Sequence, residues 1–269
     1  MPSLFDENQK LSHRLQGLVN ALGDEITEIL SGAMDRVTGR ILLLEAKAGE
    51  TESLVRRKQY LEKQRSEINR ILGEVYSDIG MKIKDKSVEV GQAGAEIADD
   101  IIKKVVPARL SVEMGVPNLT KKRVLLWFEA SQIEGQFFPD YLKKLETNTA
   151  ARIVRESRLV LISGEREKDA ARRIQQALEI GRHSAQALAE TSIRQAQHWA
   201  HREFYLENAE RLKGLRFIVE LDRNSCPTCI PLDDRVFKVD SCPMPPLHMR
   251  CRCFVLPIFK NQTLNDYLD

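Results

Sequence analysis

Cys226-Pro-Thr-Cys229 and, eighteen residues further on, His248-Met-Arg-Cys251-Arg-Cys253 decide how this chain is read. A C-x2-C knuckle followed by H-x2-C has the ligand spacing of structural zinc. The knuckle fixes two thiolates on one tight turn, and a second short-spaced pair closes a tetrahedron. All five cysteines lie in the last fifth of the 269 residues, and none precedes Cys226. Chance scatter does not produce that distribution. The expected ligands are Cys226, Cys229, His248 and Cys251. Cys253 is an alternative fourth ligand in place of His248, because on a strand it faces the same side as Cys251. Cys242, between Ser241 and Pro243, reads as a loop residue.

Two other accounts compete with a metal. Disulfides are disfavoured by an odd cysteine count and by residues 1–8, which lack the basic and apolar regions of a secretory signal. The expected site of synthesis is therefore a reducing cytoplasm. Thiols can also serve as small buried hydrophobes, but that role does not ask for knuckle spacing. The loop-rich, aromatic-poor segment 222–258 has little apolar area to bury, and ligand bonds formed only on folding would supply the missing energy. Asp222 is read either as a group that orients His248 or as an ordinary turn cap. Arg252 is expected to point away from its flanking cysteines and to pair with Asp222 or Asp233.

The same segment carries a family resemblance. It runs Leu221-Asp222, Ser225-Cys226-Pro-Thr-Cys229, Leu232-Asp233, Val236-Phe237, then Pro245-Pro246-Leu-His248-Met-Arg-Cys251-Arg252-Cys253 and Pro257. This resembles the C-terminal signature of the minor head, or head-morphogenesis, proteins of tailed bacteriophages, of the phage Mu protein F type. The resemblance covers roughly residues 160–258. Asp234 stands where that pattern usually has Gly, Met249 where it has Pro, and Phe217 near a usual Trp. Upstream, Ala189-Glu190-Thr191-Ser192 keeps the Thr of a usual Ala-Arg-Thr-Glu but neither the Arg nor the Glu. The resemblance implies a non-enzymatic virion protein that binds the phage portal protein and acts in head assembly, DNA packaging or genome delivery. It implies residence inside the virion head near the portal vertex. Packaged double-stranded DNA and a major capsid or scaffolding protein are further implied partners.

Composition bounds the rest. Hydrophobic residues make up 42%, aromatic 6% and charged 30% of the chain, which favours helices with narrow apolar stripes over a large β core. The net charge is +2, and no third of the chain is strongly basic. A sequence-independent DNA binder usually shows a larger positive excess. No run of eighteen apolar residues exists, so no membrane span is expected.

The expected fold is α+β and mainly α. Residues 1–106 read as a helical arm, 107–118 as a linker, and 119–212 as a central helical region. Residues 213–258 read as a small β-containing Cys/His module, and 259–269 as a tail. Proline is absent between Pro2 and Pro107, as long helices require. Leu11, Leu22, Ala33 and Leu44 recur every eleven residues, as do Leu15, Ile26 and Val37. Leu54, Leu61, Ile68 and Val75 recur every seven. These stripes serve either to pack on the protein's own body or to grip a partner or a second copy. Gly91 and Gly94 are expected to loosen the end of the arm, and Gly181 to separate a helix at 165–180 from one at 183–212. Gly214 is expected to stop the latter, with strands at 215–221, 236–237 and 253–256.

Other constellations are weaker. His198-Trp-Ala-His201 offers two imidazoles one helical turn apart, read as solvated histidines beside a core Trp in preference to a metal pair. Arg152, Arg155 and Arg158 form a basic ridge for phosphate or for salt pairing with Glu156 and Glu146. A treble-clef nuclease, a zinc-dependent nucleic-acid enzyme, is the alternative function. It needs a general-base His and a second His or Asn around a catalytic ion, and His248 is the one histidine near the knuckle.

Overall fold

The computed structural model describes residues 3–49, 54–106, 113–163, 167–221 and 226–261. Half of the linker expected at 107–118, the first residues of the helix expected at 165–180, Asp222, Ser225 and most of the 259–269 tail lie outside the described residues. The architecture is mainly helical with a few C-terminal strands, as composition predicts. Helix α1 (Leu4–Gly49) begins at a reciprocal cap: the Asp6 N–H donates to Ser3 Oγ, and the Ser3 N–H donates to Asp6 Oδ2. Helix α2 (Leu54–Val105) is followed by α3 (Lys121–Ala130), whose N-cap Thr120 accepts from Arg123 N. A short hairpin of β1 (Gln132–Ile133) and β2 (Gln136–Phe137) leads into α4 (Phe138–Ser163) and α5 (Glu167–Glu207). Strands β3 (Leu212–Ile218), β4 (Val236–Phe237) and β5 (Phe254–Phe259) form an antiparallel sheet in the order β4-β3-β5.

The chain divides into two compact units. The second contains Ala21–Lys82 and Pro139–Ala187. Its core takes Ile26, Val37 and Ile41 from α1, Ile68, Leu72 and Tyr76 from α2, Ile153 from α4 and Ile174 from α5. The first contains Met1–Asn20, Ile83–Phe138 and Leu188–Asp269. Its core takes Leu11 and Leu15, Ile83 and Ile102, Val124 and Phe128, then Ile193, Trp199 and Phe204, with Leu215, Phe217 and Val255 from the sheet. Trp127 and Trp199 stack with centroids 4.8 Å apart and planes 15° apart. The eleven-residue stripes Leu11–Leu22–Ala33 and Leu15–Ile26–Val37 are buried, and so are Ile68 and Val75; Leu61 is half-buried, and the side chains of Leu44 and Leu54 lie outside the description.

The glycines correct the expected breaks. Helix α5 runs straight through Gly181, where a Cβ would stand 2.8 Å from both Thr149 Oγ1 and Tyr76 Oη. This glycine admits two hydroxyls that bond to each other at 2.8 Å; it does not end the helix. Helix α2 likewise continues through Gly91 and Gly94, where added Cβ atoms would meet Val124 Cγ1 at 2.7 Å and Ala200 Cβ at 2.5 Å. They bring helices close and do not loosen α2. Helix α5 ends at Glu207, short of 212, where buried Asn208 donates to the Phe204 and Gly115 carbonyls and accepts from Gly115 N. Gly214 lies inside β3 beside a bulge, and its missing Cβ makes room for the Phe237 carbonyl at 2.5 Å.

Candidate metal centre

The knuckle is built by its own backbone. Cys229 N and Ile230 N both donate to the Cys226 carbonyl at 3.0 Å, and Thr228 N points at Cys226 Sγ at 3.4 Å. A short 3-10 turn over Ile230–Leu232 follows. Asp233 Oδ1 then accepts from Val219 N at 2.8 Å, which ties the knuckle to the end of β3. Asp234 N donates to the Phe217 carbonyl at 2.8 Å and starts the β4 pairing. Asp234 sits at φ 59°, a left-handed conformation that glycine adopts without cost. That conformation explains why an aspartate here resembles a glycine elsewhere.

The second arm, 247–253, is held by distant residues. Arg250 N donates to Thr191 Oγ1 on α5 at 3.0 Å, and Met249 N donates to Glu134 Oε1 in the β1–β2 turn at 3.1 Å. A proline at 249 would lack that donor. Arg250 is at φ 58°, and Cys251 N closes the turn on the His248 carbonyl at 3.2 Å. Glu190, beside Thr191, pairs with Arg194 at 3.4 Å and with Arg250 at 3.9 Å. The threonine kept from the upstream pattern thus anchors the Cys/His loop, a role its sequence position did not reveal. Arg252 pairs with Glu220 at 3.5 Å, while Asp233, one of its two expected partners, serves the Val219 amide, and the other, Asp222, lies outside the described residues.

These two arms bring all five candidate ligands together. Ligand atoms of Cys226, Cys229 and His248 lie within 4.8 Å of one another, and so do those of Cys229, Cys251 and Cys253. Cys229 belongs to both groups and stands 4.0 Å from Cys251, sulfur to sulfur. Cys251 and Cys253 fall in one group although residues 251–253 precede β5 and are not in a strand, so the strand geometry expected for them is not what brings them together. Cys242 is buried outside both groups, and burial pushes its thiol up to about 11.

The clustered thiols shift one another in opposite directions. Hydrogen bonds from Thr228 lower the Cys226 thiol from its ordinary value. A hydrogen bond from Cys253 holds Cys251 as thiolate, down to about 5. With Cys251 charged, burial and the neighbouring thiolate push Cys229 up to about 12, and the Cys253 thiol is raised by the Cys251 hydrogen bond and by burial. Several thiolates at this separation do not ionise together unless a metal cation neutralises them. His248 Nδ1 stands 2.8 Å from the Met249 carbonyl, which accepts only, so Nδ1 carries the proton. Nε2 is left with a lone pair, buried and without a hydrogen-bond partner among the described residues. That is the tautomer of a metal-ligating imidazole whose other nitrogen is fixed by a carbonyl.

Residues 152–256 match the family model described as Phage Mu protein F like protein. The chain therefore carries a Phage Mu protein F-like segment. No curated protein and no solved structure matches the chain. The Mu F-like segment covers part of α4, all of α5 and the sheet up to β5, and the match supports a phage Mu protein F-like head-morphogenesis protein. Both groups of metal-ready side chains lie inside it, together with Thr191. No helix of the described residues is long and apolar enough to cross a membrane.

His198 and His201, the paired imidazoles of the Mu F-like segment on α5, are not at the surface. His198 and His201 are 8% and 3% exposed. Burial holds both unprotonated, His198 down to about 3 and His201 to about 4. The Cys253 backbone acts weakly against the shift of His198, and the Gln197 amide contacts the His201 ring. The expectation of solvated imidazoles failed because the 191–201 stretch of α5 is buried almost throughout, a feature of packing and not of local spacing. The basic ridge also separates: Arg155 pairs with Glu156 at 2.8 Å, and Glu146 pairs with Lys143 at 2.6 Å.

Proposed function

We propose that this chain is a non-enzymatic minor head protein that binds the phage portal protein and acts in head assembly, DNA packaging or genome delivery. The match of residues 152–256 to the Mu F-like family is the observation that carries the reading. In this reading the protein works inside the head near the portal vertex, with exposed faces of the helices in residues 1–106 as the docking surface. Contacts with a major capsid or scaffolding protein, and self-association through those helices, belong to the same reading.

One structural zinc is part of the proposal. The orphaned lone pair on His248 Nε2 and the crowded thiols support it. Cys226, Cys229, His248 and Cys251 would hold the ion, with Cys253 as the alternative fourth donor. Zinc would supply no chemistry beyond cross-linking, joining the knuckle after β3 to the arm before β5. The nuclease alternative requires His248 as a free base. Its Nδ1 is committed to Met249, and a ring nitrogen lies within 4.8 Å of the Cys226 and Cys229 donors.

The test of the head reading is co-purification of the tagged full-length chain with the portal from infected cells, followed by cross-linking. Cross-links between portal and residues 1–106 are the expected result. Recovery without portal or any other head component refutes the reading. Metal content by native and denaturing mass spectrometry tests the zinc, with one ion per folded chain expected. A metal-free, stably folded chain overturns it. Cys226→Ser and Cys251→Ser should each expose residues 213–258 to protease, and unchanged resistance in both would count against the site.

A further inference from the structure

A small cavity of about 20 Å3 lies inside the first unit. Three distant parts of the chain wall it: residues 8–15 of α1, 194–201 of α5 and 252–254 at the entry to β5. Two of the side chains that line it carry a buried polar atom with no hydrogen-bond partner among the described residues, Gln197 Oε1 and His198 Nδ1. Gln197 is 1% exposed and His198 8%, so bulk solvent does not serve either atom. An unmade hydrogen bond in such a place is costly, and folded chains leave few of them.

Rearranging the two side chains does not remove the deficit. Gln197 Nε2 already sits on His201 Nε2. Turning the amide over puts the oxygen there and leaves the nitrogen as the orphan. His198 Nδ1 needs a donor if the nitrogen is bare and an acceptor if it carries the proton. Only a group that both donates and accepts satisfies every one of these cases. Arg194, 4% exposed, lines the same cavity. Of its five N–H groups, Nε donates to Glu190 at 3.4 Å, one on Nη1 to Ser12 at 3.2 Å and one on Nη2 to Gln16 at 2.9 Å. One N–H on each terminal nitrogen remains to donate. The volume then fixes the size of the occupant. A water needs about 10–15 Å3 of such space, so one fits and two do not. A small cation of similar size is repelled by the guanidinium.

We propose that this cavity is a binding site for one resident water, which accepts from Arg194 and bonds to the orphaned atoms of Gln197 and His198. Three bonds are the usual number for a buried water. The water joins α1, α5 and the segment of Cys253 through a single hydrogen-bonded point. The inference stands apart from both the head reading and the zinc.

The experiment is a high-resolution crystal structure of the full-length chain. One density peak is expected within about 3.2 Å of a terminal nitrogen of Arg194, of the Gln197 amide and of His198 Nδ1. A dry cavity, a peak that reaches fewer than two of these groups, or a peak with a halide's anomalous signal overturns the proposal. Water oxygen-17 relaxation dispersion, which counts long-lived internal waters, tests it in solution. Gln197→Leu/His198→Leu, with folding checked by circular dichroism, leaves the water one of its three partners and should show one long-lived water fewer than wild type. An unchanged count in a folded double variant would refute the site, and the wild-type crystal structure decides the matter if that variant does not fold.

Discussion

Replacing Thr191 by Val should weaken metal binding while leaving every proposed ligand in place. The substitution is nearly isosteric at a fully buried position, so it opens little cavity. It removes the acceptor that receives Arg250 N at 3.0 Å. Leaving the Arg250 N–H of this part-buried turn without its acceptor costs about 1–3 kcal/mol. Arg250 also sits at φ 58°, and the left-handed region costs a non-glycine residue about 1–2 kcal/mol, which the Thr191 bond helps to offset. Without it, the turn between His248 and Cys251 relaxes toward conformations that spread the donors. About 2 kcal/mol of lost preorganisation lowers the competent fraction, and with it the apparent affinity, by about thirtyfold. That falls within the tenfold to hundredfold range typical when a group behind a metal ligand is removed. The assay is competition for zinc against a chromophoric chelator, using full-length wild type, Thr191→Val and Thr191→Ser. The serine variant keeps the hydroxyl and should bind within a few-fold of wild type. Wild-type affinity in Thr191→Val would refute the claim that α5 presets the loop. Failure of the wild-type chain itself to bind would count against the metal and leave the packing argument untouched.

Two further outcomes follow from the packing. Gly181→Ala gains about 1 kcal/mol of helix propensity but forces a Cβ to within 2.8 Å of the bonded Thr149 and Tyr76 hydroxyls. Overpacking and the disturbed hydrogen bond cost about 2–4 kcal/mol together, so a net loss of about 1–3 kcal/mol is expected by urea denaturation, and a stabilised variant would show the glycine to be a chain break after all. Acid should destabilise the fold through His198 and His201. Their folded pKa values lie below the unfolded value near 6.5, so below pH 6.5 the unfolded chain binds more protons and stability falls until about pH 3–4. At pH 5.5 each histidine contributes about 1.4 kcal/mol of loss relative to pH 7.5. His201→Gln should remove about half of that pH-dependent loss, and an unchanged pH profile would show that His201 is not the titrating group.

The chain discloses its local structure more readily than its long-range structure. The long proline-free run with its seven- and eleven-residue stripes marked α1 and α2, and the Cys/His spacing marked all five side chains that the fold brings together. The glycines misled because sequence cannot separate a glycine that ends a helix from one that lets a neighbour approach. Gly91, Gly94 and Gly181 are of the second kind, and the partners that require them, Val124, Ala200 and Thr149, are 33, 106 and 32 positions away. The same limit hid Thr191 and Glu134, which hold the Cys/His loop from 59 and 115 residues upstream. His198 and His201 read as surface residues for a related reason. Their helix is buried on nearly every side along 191–201, so no polar face remained to orient the pattern.

Cys229 has a standing among the five donors that spacing alone does not give it. It belongs to both three-donor groups, while Cys226 and His248 belong to one, and Cys251 and Cys253 to the other. In the proposed zinc site Cys229 is therefore the one sulfur that both triads share. A lineage that lost Cys253 would keep all four of the proposed ligands, and drift at that position would be survivable. Loss of Cys229 dismantles both triads at once.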